Sequence, residues 1–370
     1  MRLRAFVVVF ILAAASTSGG QSPSLKRVGL DERAVLLKLV EDAAAGQRSG
    51  GNAWLKWTPH FLRGAGGKTY VPFTLRIEEA AGAFASAAMY VRVAPRGDQG
   101  RAGKRAEGVQ NVTGVASGEL PVNSPERRAG PGAPTATDAS LMLRSLTAKR
   151  TDTPYPFEAA YGVASLAIDD VATVQRAFEV KAGEYDVYIA LVERDRRGER
   201  KWALLKQPLS VPSFAGEGLR VSSVIVADRI VPLPAPVSQA QQAERPYALG
   251  TAELVPAVDA TLRQDETLQI TFLIYNAAVD GAGKPDVEVE YRLYQENFAS
   301  DRLLGATSPQ VLNQSTLPPS FDLRTGHQLA ATQSLPLTPY KPGAYRLAIR
   351  VIDKRSGSTA DERVRFVITS

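Results

Sequence analysis

A short pattern occurs twice in this sequence, and each copy leads directly into an alternating apolar segment. Lys-x-Gly-x-Tyr is found at Lys181 to Tyr185 and again at Lys341 to Tyr345. Apolar residues then recur at every second position, which places them on one face of a β-strand. We therefore predict that the chain contains one β-module twice. The alternating residues are Val187, Ile189 and Leu191 in the first copy and Leu347, Ile349 and Val351 in the second.

The strands upstream of each pattern follow the same order. Strands centred on Phe73 and Tyr90 precede the first copy, and strands centred on Phe272 and Tyr291 precede the second. From the phenylalanine to the glycine of the pattern the distance is 110 positions in the first copy and 71 in the second. The excess of 39 nearly equals a stretch of 40 residues, 95–134, that contains 8 Gly and 5 Pro. So much Gly and Pro cannot sustain a sheet interior, and we interpret this stretch as an insertion in the first module.

Both copies of the pattern resemble the tyrosine corner of immunoglobulin-like sandwiches. In that motif a tyrosine at the start of a late strand donates its hydroxyl to an upstream backbone carbonyl. Such a contact buries a large ring while it satisfies the one polar atom of the side chain. We therefore assign Tyr185 and Tyr345 a structural role, and we predict an all-β fold of two tandem immunoglobulin-like β-sandwiches.

The N-terminus has the composition of a secretory signal peptide. Basic residues at Arg2 and Arg4 are followed by the apolar run 5–15 and the small residues 16–20. The apolar run of 11 residues is too short for a bilayer, which needs about 20. The sequence also contains no Cys, so neither a disulfide nor a lipid-modified cysteine is possible. We predict a periplasmic or extracellular protein without a stable membrane span after processing.

The charge is close to balanced. The chain has 44 Lys and Arg against 38 Asp and Glu, and removal of the two signal-peptide arginines leaves 42 against 38, about +4 over some 350 residues. A surplus this small argues against a nucleic-acid partner.

One helix precedes the strands. Asp31 is its predicted N-cap and Gly46 its end, with an apolar stripe between them. The stripe consists of Val35, Leu36, Leu39, Val40 and Ala43. We divide the chain into a signal peptide at 1–20, the helix at 30–46, a first sandwich at 52–212 with its insertion at 95–134, and a second sandwich at 219–370.

Candidate chemistry is sparse. His60 and His327 fall in different modules without acidic residues at metal-ligand spacing, so we expect both on the surface or in loops. Asp169 and Asp170 are neighbours, and on a strand they would point to opposite faces, so we expect a turn or an edge. We assign no catalytic, cofactor-binding or metal-ligating residue and no cofactor.

Three further patterns have a structural and a functional interpretation. The Gly-rich stretch from Asp280 to Asp286 is read as a turn rather than a Ca²⁺ loop, because the remaining oxygen ligands are missing. Basic residues of the insertion could contact an anionic polymer, but acidic residues are interleaved with them. The three Trp could form a sugar-stacking platform or pack in a core. The basic residues are Arg96, Arg101, Lys104, Arg105, Arg127 and Arg128, and the tryptophans are Trp54, Trp57 and Trp202.

Two stretches resemble a known group of exported proteins. Thr69 to Leu75 with Lys181 to Tyr185, and Lys341 to Asp353 with Val364 to Ile368, are similar to the β-sandwich regions of exported acidobacterial-type proteins. Those regions accompany von Willebrand factor A-related domains or domains with a Gly-Trp-x-Thr-Asp motif. Neither that motif nor Asp-x-Ser-x-Ser occurs here, so the adhesion and metal functions of those domains do not carry over.

The sequence predicts a non-enzymatic binding or scaffolding protein of the bacterial envelope, with an envelope protein or polysaccharide as partner. Binding would use loops at the sandwich ends or an exposed edge strand. Two alternatives remain open: an exported hydrolase or hydrolase accessory whose carboxylates converge in the fold, and a carbohydrate-binding module with two or more exposed tryptophans in one plane.

Overall fold

The structure is a computed structural model of the 370-residue chain. It describes residues 28–48, 54–78, 86–96, 155–164, 166–168, 171–193, 201–257, 259–297 and 300–370. The predicted signal peptide and most of the predicted insertion lie outside these ranges, as do Asp169 and Asp170. Within the described residues no helix is long and apolar enough to cross a membrane.

The fold is all-β, as predicted, and its first half is a sandwich of two sheets. Inward-facing residues such as Phe73 from one sheet and Val91 from the other share a single apolar core. One sheet has the order β1-β3-β7-β6 with β2 paired to β3, and the other has the order β5-β4-β8-β9. The strands are β1 Leu55–Pro59, β2 Leu62–Arg63, β3 Thr69–Ile77, β4 Ser86–Pro95, β5 Phe157–Ala164, β6 Leu166–Ile168, β7 Val171–Val180, β8 Gly183–Glu193 and β9 Trp202–Val211.

The second half is another sandwich with its own core, which contains Phe272 and Tyr291. One sheet has the order β10-β15-β11-β13-β12 with β19 paired to β15, and the other has the order β14-β21-β20-β16-β17 with β18 paired to β16. The strands are β10 Arg220–Val221, β11 Ile225–Pro232, β12 Ala248–Leu249, β13 Ala252–Pro256, β14 Thr261–Arg263, β15 Thr267–Tyr275, β16 Val287–Gln295, β17 Arg302–Ala306, β18 Gln310–Leu312, β19 Leu329–Pro336, β20 Gly343–Asp353 and β21 Thr359–Thr369.

The two repeated patterns occupy equivalent places in these two cores. Tyr185 starts β8 and donates its hydroxyl to the carbonyl of Lys181 at 2.9 Å. Tyr345 starts β20 and donates to Lys341 at 2.6 Å. The glycines two positions earlier have φ of 154° and 152°, a backbone conformation that side-chain-bearing residues rarely adopt. The tyrosine-corner prediction is therefore confirmed in both sandwiches.

Strand pairing gives the residue-by-residue match between the sandwiches. Tyr185 pairs with Pro95 of β4, and Tyr345 pairs with Gln295 of β16. Position n of β4 therefore corresponds to position n + 200 of β16.

By this match the predicted equivalence of Tyr90 and Tyr291 is wrong by one residue. Tyr90 points outward beneath the helix, whereas Tyr291 points into the second core. Because successive residues of a strand face opposite sides, a shift of one exchanges the two faces. The inward counterpart of Tyr291 is Val91.

The helix α1 covers the outer face of the β5-β4-β8-β9 sheet and spans Leu30–Ala44. Its N-cap is Gly29 rather than the predicted Asp31, which lies in the first turn. Four of the five predicted stripe residues are buried, and Val35 is exposed. A second helix, α2, is a single turn at Gln239–Gln242.

Candidate functional site

Contacts between the sandwiches bury a histidine that we expected on the surface or in a loop. His60 is 9% exposed, and its Nδ1 lies 2.9 Å from the hydroxyl of Tyr247 in the second sandwich. Removal from water lowers the pKa of His60 from 6.5 to about 4, because burial disfavours the charged imidazolium. His60 lies in the loop between β1 and β2, as expected, but it is not on the surface, and its role is a neutral contact between the sandwiches.

Further hydrogen bonds surround that contact. The backbone of Phe61 exchanges two hydrogen bonds with Ser223, whose hydroxyl accepts at 2.8 Å and whose amide donates at 2.9 Å. Arg63 donates to the side chain of Asn276, and its guanidinium lies 4.4 Å from the ring centre of Tyr275. An apolar cluster accompanies these bonds. It consists of Leu62, Phe214, Ala252, Leu273, Tyr275 and Ala330.

A cavity of about 490 Å³ lies at one end of the second sandwich. Its walls are the inner faces of β16 and β20, the edge strand β17, the inner face of β19, and the loop that leads into the second tyrosine corner. We call it the Gly305 cavity. It is lined by Tyr291, Leu293, Gln295, Arg302, Leu304, Gly305, Ala306, Thr307, Gln333, Leu335, Pro339, Tyr340, Lys341, Tyr345 and Leu347.

The edge strand β17 leaves this space because it carries a glycine where the first sandwich carries a phenylalanine. Val93 of β4 pairs with Phe157, and its counterpart Leu293 pairs with Gly305. A β-carbon built on Gly305 would meet nothing within 4 Å. The pairing also shifts by one residue between Leu303 and Gly305, which leaves Leu304 as a bulge that lines the cavity.

The opposite wall shows the same difference. Phe178 pairs with Val71, two residues before Phe73, and Gln333 pairs with Ile270, two residues before Phe272. With the two phenylalanines of β3 and β15 matched, Phe178 and Gln333 are equivalent. In the first sandwich Phe157 and Phe178 lie 5.4 Å apart and fill this end of the core. In the second, Gly305 and Gln333 leave it open among the described residues.

The polar groups of the Gly305 cavity are not all satisfied. Gln333 is 1% exposed; its Nε2 donates to the carbonyl of Ser334, and its Oε1 has no hydrogen-bond partner among the described residues. The buried hydroxyl of Thr307 is likewise without a partner there. An unpaired buried polar group costs about 1 to 3 kcal/mol, and a bound molecule that supplies the missing partner would recover it.

The charge at the cavity is positive. Arg302 and Lys341 are exposed, and neither forms an ion pair within the part of the chain that the structure describes. The described residues that line the cavity include no acidic residue. An apolar cavity of a few hundred Å³ with a small number of polar groups is typical of small-molecule sites.

Acidic residues gather instead on the outer face of the β14-β21-β20-β16-β17 sheet. Asp361 pairs with Arg350 at 2.7 Å, and Glu290 pairs with Arg292 at 2.9 Å. These carboxylates are neutralised on an open surface, so they do not form the free acidic pair that hydrolysis of a glycosidic bond requires. The described lining of the Gly305 cavity holds no such pair either. The hydrolase alternative therefore stays a prediction.

The tryptophans do not form a platform. Trp57 is buried in the first core, Trp54 is half-buried against it, and Trp202 is 42% exposed on β9 beneath Arg48. Since the carbohydrate-binding alternative needs two exposed indoles in one plane, that interpretation of Trp54, Trp57 and Trp202 is wrong.

The two remaining loop candidates have structural contacts. Asp280 accepts hydrogen bonds from the backbone of Ala282 and Lys284, both at 2.9 Å, as expected for a turn. His327 is half-buried in a loop, where its Nδ1 accepts from the backbone of Asp322 at 2.9 Å. Among the described residues no group of three or more His, Cys, Asp or Glu could hold a metal ion.

The sequence matches no protein family model, and no curated protein is similar to it. Three solved structures align weakly: trypsin-activated alpha-2-macroglobulin from Escherichia coli, 11% identical with a TM-score of 0.21; a protein from Corynebacterium diphtheriae described as membrane anchored, 10% and 0.22; and dimeric latent PorU from Porphyromonas gingivalis, 9% and 0.25. The alignments cover 86%, 86% and 89% of this chain and 17%, 59% and 21% of those chains. Similarity this low carries no functional argument.

Proposed function

We propose that this chain is a non-enzymatic binding or scaffolding protein of the bacterial envelope, located in the periplasm or outside the cell. The signal-peptide pattern at 1–20, the absence of Cys and the resemblance to exported β-sandwich regions support the location. An envelope protein or polysaccharide is the proposed partner.

The Gly305 cavity is the observation that carries the proposal. The two sandwiches share the order of their central strands, and each has one tyrosine corner. Among the described residues, however, a phenylalanine pair fills this end only in the first sandwich. Leaving the other end open forgoes apolar contacts that would stabilise the core. A function in binding accounts for that loss.

The contact between the sandwiches supports the scaffolding part of the proposal. Buried groups on both sides, including His60 and Tyr247, hydrogen-bond across it. Because such groups lose their partners if the sandwiches separate, the contact favours one fixed orientation. Surfaces on the two sandwiches would then be held at a constant spacing.

Capture from envelope extract tests the proposal. The mature chain and its Gly305→Phe variant are immobilised side by side and exposed to the same extract. We expect the unaltered chain to retain an envelope component that the variant does not. Equal retention by both chains, or none by the unaltered chain, would contradict binding of an envelope component at the cavity.

A further inference from the structure

The Gly305 cavity has the chemistry of a site for one class of ligand. We propose that it binds an amphipathic anion: a molecule with an apolar body, a hydroxyl or N–H donor along that body, and a terminal carboxylate or sulfonate. This inference rests on the proposed binding function and specifies its ligand.

The apolar body follows from the walls. Leucine side chains from both sheets and the rings of Tyr340 and Tyr345 form apolar parts of the lining. The volume of about 490 Å³ falls within the range of roughly 300 to 1,000 Å³ that small-molecule sites occupy. Displacing water from such walls is favourable in proportion to the apolar area covered.

The unpaired amide oxygen of Gln333 indicates a hydrogen-bond donor on the ligand. Its amide nitrogen already donates to Ser334, so the oxygen that remains can only accept. A ligand that places a hydroxyl or N–H group against this oxygen gains a hydrogen bond in a buried setting, where competition from water is weak. A purely hydrocarbon ligand would leave the amide oxygen unsatisfied.

Two basic residues at the mouth of the cavity indicate an anionic group at one end of the ligand. Arg302 and Lys341 contribute two positive charges without an ion-pair partner among the described residues, while other cations of this sandwich, such as Arg346 and Arg350, are paired. Guanidinium and ammonium groups bind carboxylate or sulfonate oxygens through charge-assisted hydrogen bonds. The head group therefore lies at the mouth and the apolar body points inward toward Gly305.

The probe for this inference is 1-anilinonaphthalene-8-sulfonate, which combines an aromatic body, one N–H and one sulfonate. Its neutral counterpart, N-phenyl-1-naphthylamine, keeps the body and the N–H but lacks the sulfonate. Binding of both is measured by titration calorimetry with the folded mature chain, whose near-UV circular dichroism confirms fixed tertiary packing.

We expect the sulfonate to bind at one site, at least about five-fold more tightly than the neutral probe. Gly305→Phe should abolish binding, because the ring enters the cavity. Leu303→Phe is the matched control: it lies on the same strand, 54% exposed and outside the lining, and should bind normally. Joint replacement of Arg302 and Lys341 by Glu should remove the preference for the sulfonate.

Equal affinity for the charged and neutral probes, or sulfonate binding that persists in Gly305→Phe, would overturn the inference. The probe titrations and the capture experiment can fail independently of each other. If an envelope component is lost in Gly305→Phe while neither probe binds, the binding function stands and the ligand class is wrong. If the probe binds as expected but nothing is retained from extract, the ligand class stands and the envelope partner is wrong.

Discussion

Gly305 and Phe157 occupy equivalent positions on the edge strands of the two sandwiches, opposite Leu293 and Val93. Phe157 packs against the first core, whereas Gly305 has no side chain to fill the equivalent place in the second. The difference separates two modules that otherwise share the order of their central strands and the tyrosine that begins a late one. The chain therefore contains two similar cores, and the end of the second is open where the first is filled.

Filling the cavity should stabilise the protein. In Gly305→Phe the new side chain meets open space, and replacing a strand glycine by an aromatic residue favours the strand. We expect the free energy of unfolding to rise by about 1 kcal/mol, as measured by urea denaturation. The exposed replacement Leu303→Phe should change it by less than about 0.5 kcal/mol. A loss of stability in Gly305→Phe would mean that the space is already occupied.

Each tyrosine corner should contribute a similar amount to stability. Tyr185→Phe and Tyr345→Phe each leave a lysine carbonyl without its hydroxyl donor, so each should lower the free energy of unfolding by about 1 kcal/mol. Tyr294→Phe is the control, since that half-buried ring lies on the outer face with Arg346 above it. Unchanged melting temperatures in both corner variants would contradict the role assigned to these hydroxyls.

Acid should weaken the contact at His60. Its pKa is about 4 in the folded chain and 6.5 when exposed, so between these values the unfolded state binds more protons. The contribution of neutral His60 to the free energy of unfolding is fully present above about pH 6.5. It is lost as the pH drops toward about 4, by about 3 kcal/mol in total.

The His60→Gln variant removes that titration and keeps a polar side chain near Tyr247. The stability of the unaltered chain should therefore decline more steeply than that of the variant between pH 6.5 and 4, as followed by urea denaturation at a series of pH values. Parallel declines would show that His60 is not buried as a neutral group.

Arg63 should couple the unfolding of the two sandwiches. Its guanidinium donates to Asn276 and to the carbonyl of Phe214, and it lies over the ring of Tyr275. Arg63→Ala removes these contacts at a cost of about 2 kcal/mol. Calorimetry should show a single transition for the unaltered chain and two for the variant, whereas the exposed replacement Arg229→Ala should leave the single transition intact. One unchanged transition in Arg63→Ala would contradict this coupling.

The fold could be predicted because its signals are local. Period-two spacing after Tyr185 and Tyr345 and the glycines before them identify equivalent strands without any knowledge of long-range contacts. The match between Tyr90 and Tyr291 was wrong for a physical reason: α1 covers the outer face of β4, so both faces of that strand are apolar and the alternation that would reveal its orientation is lost.

The candidate site could not be predicted in the same way. His60 meets Tyr247 across 187 positions of sequence, and no local pattern reports such a contact. Gly305 looks like an ordinary turn glycine until strand pairing places it opposite Leu293. Lys341 was visible as part of the repeated pattern, but its position at the mouth of a cavity depends on β17 and β19, which are distant in sequence.

A crystal structure of the mature chain with 1-anilinonaphthalene-8-sulfonate tests the central claim most directly. The naphthalene should lie between Gly305 and Gln333, with the sulfonate toward Arg302 and Lys341, while Phe157 and Phe178 close the equivalent end of the first sandwich. A second sandwich whose own side chains fill this end, or a probe bound only elsewhere, would contradict it.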